Sequence, residues 1–179
     1  MTAQANMYAQ ALYSLVKEEG CAQGVLQELK ALAESFSQEP DYVRLLSAPN
    51  ISKEERCGIL DEAFRGKVHP YVLNFMKLLT EKGVIRSFCD CCESFRGIYN
   101  RDHGILEVKA VTAVALTDDQ RDRLSAKLAQ VTGKTVELIS RVDPGCIGGI
   151  RLDYDGKRLD DTVAHRLASM AALLKNTVL

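Results

Sequence analysis

The stretch Arg141-Val-Asp-Pro-Gly-Cys-Ile-Gly-Gly-Ile-Arg-Leu-Asp-Tyr-Asp-Gly-Lys157 limits the possible folds more than any other part of the chain. Asp143-Pro144-Gly145 sets a Pro of fixed φ before a Gly free to take positive φ, which is turn chemistry. Asp155-Gly156 is a favoured pair for a two-residue hairpin turn, because both central residues must tolerate positive φ. Between these turns, Gly148-Gly149 interrupts what reads as a strand. A Gly pair there marks a bulge or the close approach of another backbone. Asp143, Pro144, Gly148 and Gly149 are therefore read as a joint, which is either a ligand loop or an architectural corner.

The first hundred residues read as helices. Tyr8, Ala11, Leu12 and Leu15 recur at i, i+3, i+4, i+7, with Ala9 and Val16 widening the stripe before Gly20. Ala22, Val25, Leu26, Leu29, Leu32, Ala33 and Phe36 mark a second helix ending before Pro40, and a short element follows over Asp41–Leu46. Ser52-Lys-Glu-Glu55 is a capping box ahead of Cys57, Leu60 and Phe64. His69-Pro70 opens the helix of Val72, Phe75, Met76 and Leu79, which Gly83 closes. A last helix covers Ile85 to Tyr99, with Phe88, Cys91, Cys92, Phe95 and Tyr99 on one face.

The pattern changes at Asp102-His103-Gly104. Ile105 to Leu116 and Lys134 to Val142 alternate as strands do, with Val136, Leu138, Ser140 and Val142 facing one way. Between them Thr117-Asp-Asp-Gln120 is a second capping box, and Leu124, Leu128 and Val131 mark a helix closed by Gly133. After the hairpin, Asp160 or Asp161 caps a final helix carrying Val163, Leu167, Met170 and Leu174. The expected order is β-α-β-β-α. The fold class is α+β overall: an all-α bundle of about six helices over 1–104, then a small α+β domain over 105–179.

Chemistry is hard to place in this chain. A net charge of −1 lacks the basic footprint that nucleic acid demands. No apolar run reaches the length of about 20 residues that a membrane helix needs, and no secretory signal is visible, so any membrane attachment runs through a partner. Six cysteines at irregular positions then read as reduced thiols in the cytoplasm. Cys89-Asp-Cys-Cys92 suggests a metal cluster, but successive helical residues turn by about 100°, so Cys89 and Cys91 point apart. Cys91 and Cys92 instead continue the apolar stripe, and no second Cys/His pair with zinc spacing exists. Gly148-Gly149 leads into more strand rather than a helix N-terminus, which excludes a phosphate cradle. Asp153, Asp155, Asp160 and Asp161 lack calcium-loop spacing and read as turn and cap residues. His69, His103 and His165 lie far apart, and no Ser or Cys nucleophile has a catalytic setting. No catalytic residue, cofactor or metal is expected.

Several short motifs occur together in order. Tyr8-Ala9-x-Ala11-Leu12, Leu46-Ser-Ala-Pro49 and Phe75-Met-Lys-Leu-Leu-Thr-Glu-Lys-Gly83 resemble the delta-subunit family of the F-type ATP synthase. Val142-Asp-Pro-Gly-Cys-Ile-Gly-Gly-Ile150 and Leu159-Asp-Asp-Thr-Val163, followed by Arg166-Leu167, are similar to its C-terminal signature. The mitochondrial counterpart is the oligomycin-sensitivity-conferring protein, and the resemblance covers essentially the whole chain. Departures are Val84 after Gly83, with the Arg displaced to Arg86, and Gly145-Cys146 where the family has Ser-Leu.

The resemblance implies a non-catalytic stator part of a complex that couples proton flow to ATP synthesis. The N-terminal bundle would bind the N-terminal helices of the alpha subunits on the catalytic head. The C-terminal domain would meet the peripheral-stalk b subunit, at the cytoplasmic face of the cell membrane. Tyr8, Ala11, Leu12, Phe75 and Leu79 are expected to contribute to a groove for an amphipathic helix of the head. Val163, Leu167, Met170 and Leu174 are expected to face the stalk. The competing classes are a helix-binding adaptor of another assembly and a small-molecule enzyme built on the α+β unit. The enzyme requires a pocket of perturbed ionisable groups.

Overall fold

The computed structural model describes residues 3–48 and 50–177, with side chains followed through Met170. Among these, helices come first: α1 (Ala3–Glu18), α2 (Ala22–Gln38), α3 (Pro40–Leu46), α4 (Lys53–Phe64), α5 (Pro70–Glu81) and α6 (Phe88–Asp102). A single 3₁₀ turn over Ile85–Ser87 precedes α6. There follow β1 (Ile105–Thr112), α7 (Asp118–Thr132), β2 (Thr135–Val142), β3 (Ile150–Tyr154), β4 (Lys157–Asp160) and α8 (Val163–Thr177). The fold is α+β, and it divides into compact units at Met1–Tyr99 and Asn100–Leu179, within the last turns of α6.

Local chemistry starts the helices of the first unit. The Ser52 hydroxyl accepts the Glu55 N–H at 3.2 Å, and the Glu55 carboxylate accepts the Ser52 N–H at 3.1 Å. This reciprocal cap of α4 is worth ~1 kcal/mol. Pro70 occupies the first turn of α5, where its missing N–H costs nothing. His69 caps that helix, its Nδ1 accepting the Tyr71 N–H, while the His69 N–H donates to Glu28 of α2 at 2.7 Å.

Packing then sets which faces turn inward. Ala9, Leu12 and Val16 of α1 are buried, as are Val25 and Leu29 of α2. Val72, Met76 and Leu79 of α5 join them, with Phe88 and Phe95 of α6. Phe36 links α2 to this centre, its ring 4.9 Å from Phe88 and 5.7 Å from Tyr42. Each fully buried Phe contributes on the order of 1.5–3 kcal/mol by leaving water. Arg56 is the charged residue among the described interior groups of this unit, beside the polar Thr80 and Ser94. Its guanidinium donates to the Leu46 carbonyl at the end of α3 (3.1 Å) and ties α4 to that helix terminus. The displaced Arg86 reaches the same corner, its Nε donating to the Ser47 hydroxyl at 3.0 Å.

The second unit is built on a sheet of order β2-β1-β3-β4. β1 and β2 run parallel with α7 as the crossover, whereas β3 is antiparallel to both β1 and β4. Leu106, Val108 and Ala110 of β1 are buried, while the other strands stay largely half-buried or exposed, β3 included although it too lies inside the sheet. Thr117 and Gln120 form the second capping box, at the start of α7. Three expectations are corrected here. The hairpin's second arm is a strand of its own, so the order is β-α-β-β-β-α. β1 stops at Thr112, where the Thr112 hydroxyl turns back to the Val114 carbonyl. The cap of α8 is Thr162, whose hydroxyl accepts the His165 N–H; Asp160 serves by accepting the Thr162 N–H and hydroxyl.

Candidate partner-binding faces

The apolar stripe read along α1 contains two faces. Ala5, Ala9, Leu12, Tyr13 and Val16 turn into the bundle. Met7, Ala11 and Leu15, spaced i, i+4, i+8, turn out of it, with Met7 62% and Leu15 52% exposed. Ala3 extends the same line outward. Four exposed apolar positions thus stand in one row on α1, with no charge among them. Beside it Tyr8 is half-buried and lines a shallow surface dip with Gln4, Ala5, Val84, Ser87 and Cys91, with no room inside it even for a water molecule.

The residues expected to form one groove are therefore not equivalent. Ala11 is exposed and Tyr8 partly so, but Leu12, Phe75 and Leu79 are interior. α5 packs against α1 and shows Leu78 at its surface. The additional exposed residues are Met7 and Leu78, with Leu15 already in the stripe. Met7 was within reach of sequence reasoning, since it lies four residues before Ala11.

In the second unit the expected stalk-facing residues lie on α8. Val163, Leu167 and Met170 are all exposed, the last two at 55% and 61%, while the side chain of Leu174 lies outside the described residues. The first described turns of this helix thus put apolar surface into water.

The joint holds the start of α8 in place. The Asp143 carboxylate accepts the Gly145 N–H at 2.9 Å, and Pro144 opens a 3₁₀ turn over Pro144–Cys146. Gly148 and Gly149 do not interrupt a strand as expected. They lie between that turn and β3, because β3 begins only at Ile150. The Gly148 carbonyl accepts the Val163 N–H at 3.0 Å, which fastens the loop to α8. Asp155 and Gly156 both take positive φ and close the β3–β4 hairpin in two residues.

The ionisable groups form ion pairs and caps. Asp153 accepts from Arg158 across the hairpin at 2.6 Å and lies 3.5 Å from Arg151, two residues earlier on its own strand. Its carboxylate holds the Arg158 guanidinium in the charged form, raising its pKa. Hydrogen bonds from Thr162 lower the pKa of Asp160. Burial pushes the Cys91 thiol up to about 11 and Cys92 further in the same direction, which removes the thiolate that metal or redox chemistry uses. Among the described residues no group of three His, Cys, Asp or Glu is placed to hold a metal, and no helix is long and apolar enough to cross a membrane.

These features coincide with one family. Residues 5–174 match the family described as ATP synthase delta (OSCP) subunit. The ATP synthase subunit delta of Leuconostoc citreum is 33% identical over 171 residues, covering 95% of this chain and 94% of that one. That of Chlorobium chlorochromatii is 31% identical over 167 residues, with 93% of each chain covered. A chain of the Toxoplasma gondii mitochondrial ATP synthase hexamer, at 19% identity, shares the fold with a TM-score of 0.77 over 97% of this chain and 98% of that one. The chain belongs to the ATP synthase delta (OSCP) subunit family.

Proposed function

We propose that this chain is a non-catalytic stator subunit of an F-type ATP synthase, holding the catalytic head to the peripheral stalk. The observation that carries this reading is that each compact unit exposes its own apolar helical row: Met7, Ala11 and Leu15 in the first, Val163, Leu167 and Met170 in the second. A coupling strut needs two independent binding faces and no reaction centre, and family membership names the assembly.

In this reading the bundle binds the N-terminal helices of the alpha subunits. Tyr8, Ala11, Met7 and Leu15 make the contact, with Leu78 as the exposed apolar residue of α5. Leu12, Phe75 and Leu79 support that surface from beneath. The second unit binds the b subunit through α8, with Leu174 continuing the row. The strut keeps the head from turning with the rotor, so proton flow is coupled to ATP synthesis. It sits at the cytoplasmic face of the cell membrane, held there by its partners. Co-purification of the tagged full chain from membranes tests this: alpha and b subunits are expected together, and recovery of neither rejects the assignment.

A further inference from the structure

Among the described residues the sheet of the second unit has two free edges, and they differ. β4 is four residues long and begins with Lys157-Arg158, a short charged edge of the kind that resists further pairing. β2 is eight residues long and largely exposed, with Ile139 at 38% and Val142 at 47%. Its hydrogen-bonding phase is set by β1. The Thr135 N–H donates to the Gly104 carbonyl and the Asp143 N–H to the Thr112 carbonyl, so odd-numbered residues turn their backbone groups toward β1. The backbone groups of Val136, Leu138, Ser140 and Val142 therefore point away from the sheet. At one end of that row the Ser125 hydroxyl of α7 reaches the Val136 carbonyl, at 3.5 Å. Side chains alternate likewise: Glu137, Ile139 and Arg141 stand on one face, and all three are exposed.

We propose that the β2 edge pairs antiparallel with β2 of a second copy of this chain, about a two-fold axis midway between the two Ile139 residues. The backbone phase allows only registers that set an even-numbered residue opposite an even-numbered one. Of these, the register centred on Ile139 sets Leu138 opposite Ser140 and Val136 opposite Val142, while Glu137 of each copy faces Arg141 of the other. Both ion pairs flank an Ile139–Ile139 contact, in the non-hydrogen-bonded positions where side chains come closest. Moving the axis to Leu138 puts Glu137 against Ile139, and moving it to Ser140 puts Glu137 against Asp143. Parallel pairing in register sets Glu137 beside Glu137. Charge therefore selects one register with one partner, and the two-fold closes an edge that would otherwise template further strands.

Sedimentation velocity of the full chain, over a concentration series reaching about 0.5 mM, suits so small an interface. A dimer that forms with rising concentration is expected. A monomer throughout overturns the proposal, whatever other strand the edge accepts. Arg141→Glu sets like charges at both ion-pair positions and is expected to raise the dimer Kd by roughly tenfold. Adding Glu137→Arg restores opposite charges in swapped order and is expected to return Kd to within about threefold of the original. Ser140→Pro removes an N–H that points out of the sheet while sparing the ladder to β1, and is expected to abolish the dimer. The charge variants alter exposed side chains, so they decide the matter even if Ser140→Pro lowers Tm. A dimer that Arg141→Glu leaves unchanged, or that the charge swap fails to restore, overturns the proposal. So does a dimer that persists in Ser140→Pro at unlowered Tm.

Discussion

A Cβ placed on Gly149 would lie 2.3 Å from the carbonyl oxygen of Asp161, and Gly149 itself holds φ +78°. The joint therefore works by backbone meeting backbone, β3's entry against the residues that cap α8. Gly149→Ala is expected to destabilise the second unit by about 2–4 kcal/mol, from positive-φ strain plus a contact that no side chain can relieve. Gly148→Ala is expected to cost under about 1 kcal/mol, since its neighbour is a movable side chain at 3.4 Å. Urea unfolding of the two variants checks the contrast.

Leu78 and Leu79 are adjacent, yet Leu79 is fully buried and Leu78 is at the surface. Leu79→Ala is expected to cost about 2–5 kcal/mol through the cavity it leaves. Leu78→Ala is expected to stay within about 0.5 kcal/mol. Thermal unfolding of each checks it, and equal losses would place both side chains in the core.

Arg56 is buried and supplies a donor to a helix-end carbonyl. Arg56→Met keeps the aliphatic stem but leaves the Leu46 carbonyl without that donor, at an expected cost of about 1–3 kcal/mol. Hydrogen exchange should show the loss first in α3 and the start of α4.

Cys91 and Cys92 ionise later in the folded chain than in the unfolded one, mainly because burial opposes the thiolate. Their contribution to stability is complete below the ordinary thiol value of 9.0 and is lost as pH rises through about 11 for Cys91. The urea midpoint is therefore expected to fall between these pH values. Replacing both with Ala should flatten part of that slope.

What the sequence disclosed follows the range of the interactions. Ser52 with Glu55, Thr117 with Gln120, and Asp155 with Gly156 are local patterns, and each forms as its spacing predicts. The helical periods are equally local, so six helices before β1 could be read. The direction of burial is not local. On α1, Leu12 and Leu15 belong to one periodic stripe, but only packing against the rest of the bundle decides that Leu12 turns in and Leu15 out. The parallel pairing of β1 with β2 depends on a crossover, and no residue pattern within either strand states it. The positive φ of Ile147 was hidden for a similar reason. A β-branched residue argues against that conformation, and only its fixed neighbours impose it.

The central claim is that the two exposed rows serve different partners. The most direct measurement is capture of alpha and b subunits by the full chain carrying Met7→Asp with Leu15→Asp, against the chain carrying Leu167→Glu. With Tm unchanged in both, the account predicts that the first variant loses alpha and keeps b, and that the second loses b and keeps alpha. Loss of both partners by either variant, or of neither by both, would contradict it.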